Sequence, residues 1–209
     1  MRYSDFTIDM LKERFGLRFI EDTALFAVPP SFPVPASLRE LLRRYLPLAT
    51  LINTEKARSE LIIAPVLVEF KLHAQKHISL FSGTDFSVDP QAGLSGRCDY
   101  IISLSPEQLL LSAPIIIIVE AKNENIVGGI PQCIAGMVAA MRFNERKNNP
   151  IECIYGIVTT GSLWRFLKLE ADLRTFVDTT EYHIQQLETL LGVLDTIIME
   201  PATPAEGAI

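Results

Sequence analysis

Residues 113–122 read APIIIIVEAK, and this stretch decides the fold. Four consecutive isoleucines offer water no polar face, which specifies a central strand buried on both sides. Side-chain direction repeats every two residues in a strand, so Glu120 and Lys122 emerge together on one side at its carboxyl end while Ala121 points the other way. Two strands are predicted upstream, ISLFSGTDFSV at 78–88 and GRCDYIISL at 96–104, divided by turn-rich segments. Downstream, Gly128 and Gly129 precede Pro131, and QCIAGMVAAMRFNERK follows with small residues suited to close packing on a sheet. That helix is predicted to start near Ile130.

Further along, ECIYGIVTT and SLWRFLKLEA around Gly161 and Ser162 read as a hairpin, and TEYHIQQLETLLGVLDTIIME supplies the last helix. Toward the N-terminus, residues 4–15 form a short helix with Ile8, Leu11 and Phe15 on one side, closed by Gly16. FAVPPSFPVP then carries four prolines, which makes residues 27–36 a flexible boundary before SLRELLRRYL opens another helix. Residues 54–71, TEKARSELIIAPVLVEFK, give a helix kinked at Pro65, with Glu60 turned inward by its spacing from Ile63 and Leu67. The order of pieces lacks the regular alternation of a doubly wound dinucleotide fold. It predicts an α/β chain with a central mixed sheet flanked by helices. Residues 1–200 form a single domain with an N-terminal helical extension, and residues 201–209 a flexible tail.

With 209 residues, 48% of them apolar and 21% charged, the chain can bury a substantial core without disulfides or structural metal, and it is no collagen-like, mucin-like or disordered polymer. Lys and Arg total 19 against 25 Asp and Glu, a formal charge of −6, so no global basic field advertises a polyanion, although a local positive groove still serves one. Cys98, Cys133 and Cys153 form no CxxC pair and have no His cluster nearby, which argues for structural thiols in a reducing cytosol and against zinc. The opening MRYSDFTIDMLKERFG carries early acids instead of a basic and then apolar leader, and the longest apolar run falls far short of the roughly 20 residues of a membrane helix. A cytoplasmic protein without membrane contact is the expectation.

The candidate site is built from Glu60, Asp99, Glu120, Lys122 and Gln132. If strand 96–104 lies beside strand 113–122, Asp99 and Glu120 approach one another near one sheet end. Two unpaired acids at close range repel and resist desolvation, so an oxygen-seeking divalent cation, Mg2+ or Mn2+, makes their proximity favourable. The Ala121 carbonyl offers a further metal ligand, and Glu60 binds a second ion or an ordered water. Lys122 orients the attacking water and attracts a phosphate oxygen, while Gln132 holds that water or the substrate backbone. In phosphodiester hydrolysis, metal coordination stabilises charge on the phosphate and on the departing oxygen.

Each residue has a structural alternative. Glu60 can pair with Lys56 or Arg58, Glu120 with Lys122 as a strand-end ion pair, and Asp99 with backbone donors. Trp164 and Phe166 alternate as hairpin packing, and Arg39, Arg43 and Arg44 lie on a solvated amphipathic helix.

Taken in order, the helical acid Glu60, Asp99 of GRCDY, Glu120 and Lys122 of EAK, and the helix-borne Gln132 resemble the PD-(D/E)xK phosphodiesterase superfamily across residues 54–145. Cys98 stands where that motif has proline. The resemblance implies a restriction-endonuclease-like fold and metal-dependent cleavage of nucleic-acid phosphodiesters, with DNA the expected polymer. A magnesium-dependent endonuclease or another phosphodiesterase is the implied enzyme. The competing expectation is a noncatalytic nucleic-acid-binding or structural assembly protein on the same scaffold, and a homodimer is compatible with either.

Overall fold

The computed structural model describes residues 1–28 and 31–200 of the chain. Eight strands form one mixed sheet: β1 (Arg18–Ile20), β2 (Ser79–Asp85), β3 (Arg97–Ser103), β4 (Ile115–Ala121), β5 (Cys153–Thr159), β6 (Leu163–Glu170), β7 (Arg174–Val177) and β8 (Tyr182–His183). Their order is β1-β7-β6-β5-β4-β3-β2, with β8 pairing β6. The isoleucine strand β4 lies between β3 and β5, and all seven of its residues are buried. It runs parallel to β5 and antiparallel to β3. The chain is therefore α/β, with a central mixed sheet and helices on both faces.

A parallel neighbour demands a crossover, and the helix α5 (Ile126–Arg146), numbered in chain order after α1 (Ile8–Phe15), α2 (Ala36–Ile52), α3 (Glu55–Arg58) and α4 (Ala64–His73), supplies it between β4 and β5. Its small residues let it sit close to the sheet. A Cβ at Gly156 of β5 would run into Met137 Sδ and lie 3.0 Å from Cys133 Sγ. This helix is long and apolar enough to cross a membrane, yet 61% of its apolar window is buried within the fold. The N-terminal turn and α1 lie on the same side.

Alternation assigns the opposite face. Ile118 packs toward Gly136 of α5, so Val119 and its register partner Tyr100 point away from α5, where Tyr100 Oη meets Ser59 Oγ at 2.6 Å. Tyr155, one residue from Gly156, likewise points away and donates to Glu200 at 2.7 Å, beside the end of helix α6 (Leu187–Met199). Helices α2, α3, α4 and α6 therefore cover the second face. Trp164 and Phe166 are fully buried in β6, as hairpin packing requires. All three cysteines are free thiols, Cys98 and Cys133 buried and Cys153 half-buried, and burial pushes the Cys153 thiol up to about 11.

Several sequence expectations change. Helix α5 begins at Ile126 and not near Ile130, because Asn125 caps it by accepting the Gly128 N–H at 2.8 Å. The predicted kink at Pro65 is a π-helical turn, Ser59–Ile63, inserted between α3 and α4, and Pro65 follows it directly as the second residue of α4. The proposed boundary at 27–36 is anchored: Phe32 is buried, packs toward Phe70 and donates its N–H to Glu188 O at 3.1 Å. Residues 29 and 30 of that segment and the expected tail at 201–209 lie outside the described residues. The last helix starts at Leu187, since Tyr182–His183 pairs with β6 instead.

Candidate active site

The carboxyl ends of β4 and β5, the start of β3 and the starts of α3 and α5 meet at one end of the sheet. The β3–β4 register runs up to Tyr100 opposite Val119. Beyond it the Asp99 carboxylate accepts the Ala121 N–H at 2.8 Å, so an acidic side chain takes a backbone donor at the strand end. Asp99 is half-buried, and that burial raises its carboxyl above the ordinary value, against the Ala121 hydrogen bond and the Lys122 charge.

Glu120, next along β4, is only 4% exposed. Burial first and the Asp99 charge second push its carboxyl up to about 8, against the attraction of Lys122. Lys122 Nζ donates to Glu120 Oε1, lies 3.4 Å from Gln132 Oε1 and 3.9 Å from Glu55 Oε2. Burial works against this ammonium, but the Glu120 charge and hydrogen bond, with Glu55 and Asp99, outweigh it and raise Lys122 above the ordinary lysine value. The Lys122 backbone is fixed separately, its N–H donating to Thr159 O at 2.8 Å.

The structure thus brings Asp99, Glu120, Lys122 and Gln132 together. It does not bring in Glu60 as an inward acid. Glu60 has a side chain 60% exposed and pairs with Lys56 at 2.9 Å. The reason is the π-turn, whose extra residue moves Glu60 out of the buried stripe formed by Ile62, Ile63, Val66, Leu67 and Phe70. Glu60 lines an open cleft of about 310 Å³ together with Asp99, Ala121, Arg97, Tyr100 and Glu55.

Glu55 is the residue that sequence reasoning missed. It follows Thr54, whose Oγ1 caps α3 by accepting the Ala57 N–H at 3.1 Å, so it reads as an ordinary first-turn acid. Only folding shows that this turn faces Lys122. Among the described residues, no three His, Cys, Asp or Glu side chains are grouped to hold a metal. The donors that do converge, the Asp99 and Glu120 carboxylates beside Ala121, are oxygens whose joint charge Lys122 offsets incompletely, which is the chemistry a hard cation fits. Comparison of the chain with family models, curated proteins and solved structures gives no match.

Proposed function

We propose that the chain is a metal-dependent nuclease-like hydrolase of nucleic-acid phosphodiester bonds, with DNA its polymer, built on the PD-(D/E)xK plan. The observation that carries this reading is the buried Glu120 carboxylate, coupled to Asp99 on the neighbouring strand and touching Lys122, which in turn reaches Gln132. Asp99, Glu120 and the Ala121 carbonyl are the groups that would hold Mg2+ or Mn2+. When bound, that cation supplies positive charge to the phosphate and acidity to a water molecule.

The chain's own residues do the rest. Glu120 holds the Lys122 ammonium in place, and Lys122 keeps its proton because Glu55, Glu120 and Asp99 surround it. A fixed ammonium beside Asp99 and Glu120 would attract a nonbridging phosphate oxygen and orient the water that attacks phosphorus. Gln132, engaged at its carbonyl oxygen by Lys122, has its amide N–H groups left to hold that water or the strand. Glu60, exposed and paired with Lys56, lines the same cleft as Asp99 but makes no hydrogen bond or ion pair with the Glu120–Lys122–Gln132 cluster.

The test is metal-dependent cleavage of single-stranded, duplex and branched DNA by the wild-type chain and by Glu120→Gln. The reading expects cleavage that needs Mg2+ or Mn2+ and is lost in the variant. Cleavage that persists in both without metal refutes it. A second reading, a noncatalytic binding or assembly protein, draws on the same contact: Glu120 and Lys122 also close into a strand-end ion pair. It expects salt-sensitive nucleic-acid binding or defined assembly without turnover, and Asp99-dependent cleavage excludes it.

A further inference from the structure

A second cleft, about 480 Å³ in volume, opens beside the acidic one, and its lining includes Arg2, Asp85, Ser87, Ser95, Arg97 and Gln132. That is the size of a small-ligand site. Two guanidinium groups belong to it, and among the described residues neither makes an ion pair. Arg2 engages Asp5 only through its backbone N–H. Arg97 stands opposite Asp85 in the β2–β3 ladder, but Asp85 Oδ1 accepts from Ser87 Oγ at 2.8 Å.

The segment carrying Arg2 is clamped. Tyr3 is buried, donates its N–H to Ser95 O at 3.1 Å and donates its hydroxyl to Phe86 O. Gly96, at φ 143°, lets the Tyr3 ring lie where a Cβ would come within 3.1 Å of it. Ser95 Oγ also donates to Met1 O at 3.3 Å. The backbone at Arg2 is therefore positioned before any ligand arrives, which lowers the ordering cost of binding.

Two residues join this cleft to the acidic one. Arg97, two positions before Asp99 on β3, lines both. Gln132 lines the second cleft and accepts from Lys122. Arginine forks and serine hydroxyls match phosphate oxygens. The one aromatic ring at the lining, Tyr3, is buried and offers no face for base stacking.

We infer that this cleft is a phosphate subsite: Arg2 and Arg97 seat a backbone phosphate of a polynucleotide strand beside the one presented to Asp99 and Glu120, without reading base sequence. Its place along the strand rests on the hydrolase reading, whereas its phosphate chemistry stands on the two arginines. The full chain, held in EDTA to prevent turnover, is titrated with fluorescent oligodeoxynucleotides between about 50 and 200 mM salt. Arg2→Gln and Arg97→Gln are expected each to reduce the slope of log affinity against log salt by about 0.7–0.9, equally for two unrelated sequences. Ser87→Asp, which adds a carboxylate to the cleft and removes the hydroxyl that occupies Asp85, is expected to weaken binding as well.

Wild-type affinity and slope in all three variants, with unchanged thermal melting, overturns the inference. So does binding of a deoxynucleoside monophosphate that oligonucleotides do not displace. Cleavage assays separate the two readings. Arginine-dependent strand binding by a wild-type chain that never cleaves supports the subsite and defeats the hydrolase. Metal-dependent cleavage with unaltered binding in the variants defeats the subsite alone.

Discussion

Glu120 should make the stability of this fold fall as pH rises through the neutral range. Its carboxyl sits at about 8 in the folded chain against an ordinary 4.5. A carboxyl raised in the folded state binds a proton that the unfolded chain has already released, so stability is complete below about pH 4.5 and is lost as pH climbs to about 8. At about 1.4 kcal/mol per pH unit, the full loss is roughly 5 kcal/mol, of which roughly 3 falls between pH 5.5 and 8. Asp99, raised by burial, adds a loss of the same sign as pH rises above its ordinary value. Lys122 adds no slope here, because its raised value keeps its contribution intact below 10.5 and loses it only above. Urea unfolding of wild type and Glu120→Gln at several pH values measures the effect. The wild-type curve should fall across the window and the variant curve stay nearly flat. Millimolar Mg2+ should restore wild-type stability at pH 8.5 far more than at pH 5.5, since a bound cation replaces the proton. Parallel curves for the two chains, with or without metal, refute the reasoning.

Arg58 is 8% exposed and ties three partners together: Asn53 Oδ1 at 2.9 Å, Thr160 O at 2.9 Å and Ser162 Oγ at 3.2 Å. Arg58→Met leaves the buried Thr160 carbonyl short of that donor and should cost about 2–4 kcal/mol in urea unfolding, while a cost below 0.5 kcal/mol counts against that role. Gly156→Ala pushes a methyl group against Met137 and Cys133 and should destabilise by about 1–3 kcal/mol, with a neutral or stabilising result showing that α5 is free to shift. The expected homodimer is checked by molar mass in solution: a species that stays at 23.3 kDa across concentration rules it out.

The sheet was legible where a local pattern admits one solution. The isoleucine run leaves β4 no exposed face, and the β5–β6 hairpin is marked by two apolar strands around Gly161. Strands β1 and β7 escaped because three and four residues make too short a pattern, and their parallel pairing of Arg18 with Arg174 joins segments far apart in sequence. Glu60 was misread because a spacing of 3.6 residues per turn says nothing about a π-turn, which alters the period within one helix. The start of α5 was misread for a different reason: two glycines and a proline look like breakers, while the Asn125 side chain that caps the helix is a single residue. Glu120 and Lys122 were legible because both lie on one strand, whereas Glu55 depends on the tertiary packing of α3.

Charge orders these features into one surface. Asp99, Glu120 and Glu55 set three carboxylates around the single ammonium of Lys122, and the adjoining cleft adds Glu60 against Lys56 and Arg97, so this end of the sheet is on balance acidic when those carboxyls are ionised. On the proposed hydrolase reading, a cation there would serve binding as well as hydrolysis. The neighbouring cleft has the reverse balance, two arginines against Asp85, with that acid already engaged by Ser87. Arg97 stands at the boundary and lines both. On the proposed reading, a strand crossing this end of the sheet would meet metal-independent attraction on one side of Arg97 and metal-dependent attraction on the other. On the same reading, that gradient predicts seating at the arginines before a cation admits the next phosphate to the acids, so a chelator should abolish cleavage and leave arginine-dependent binding in place.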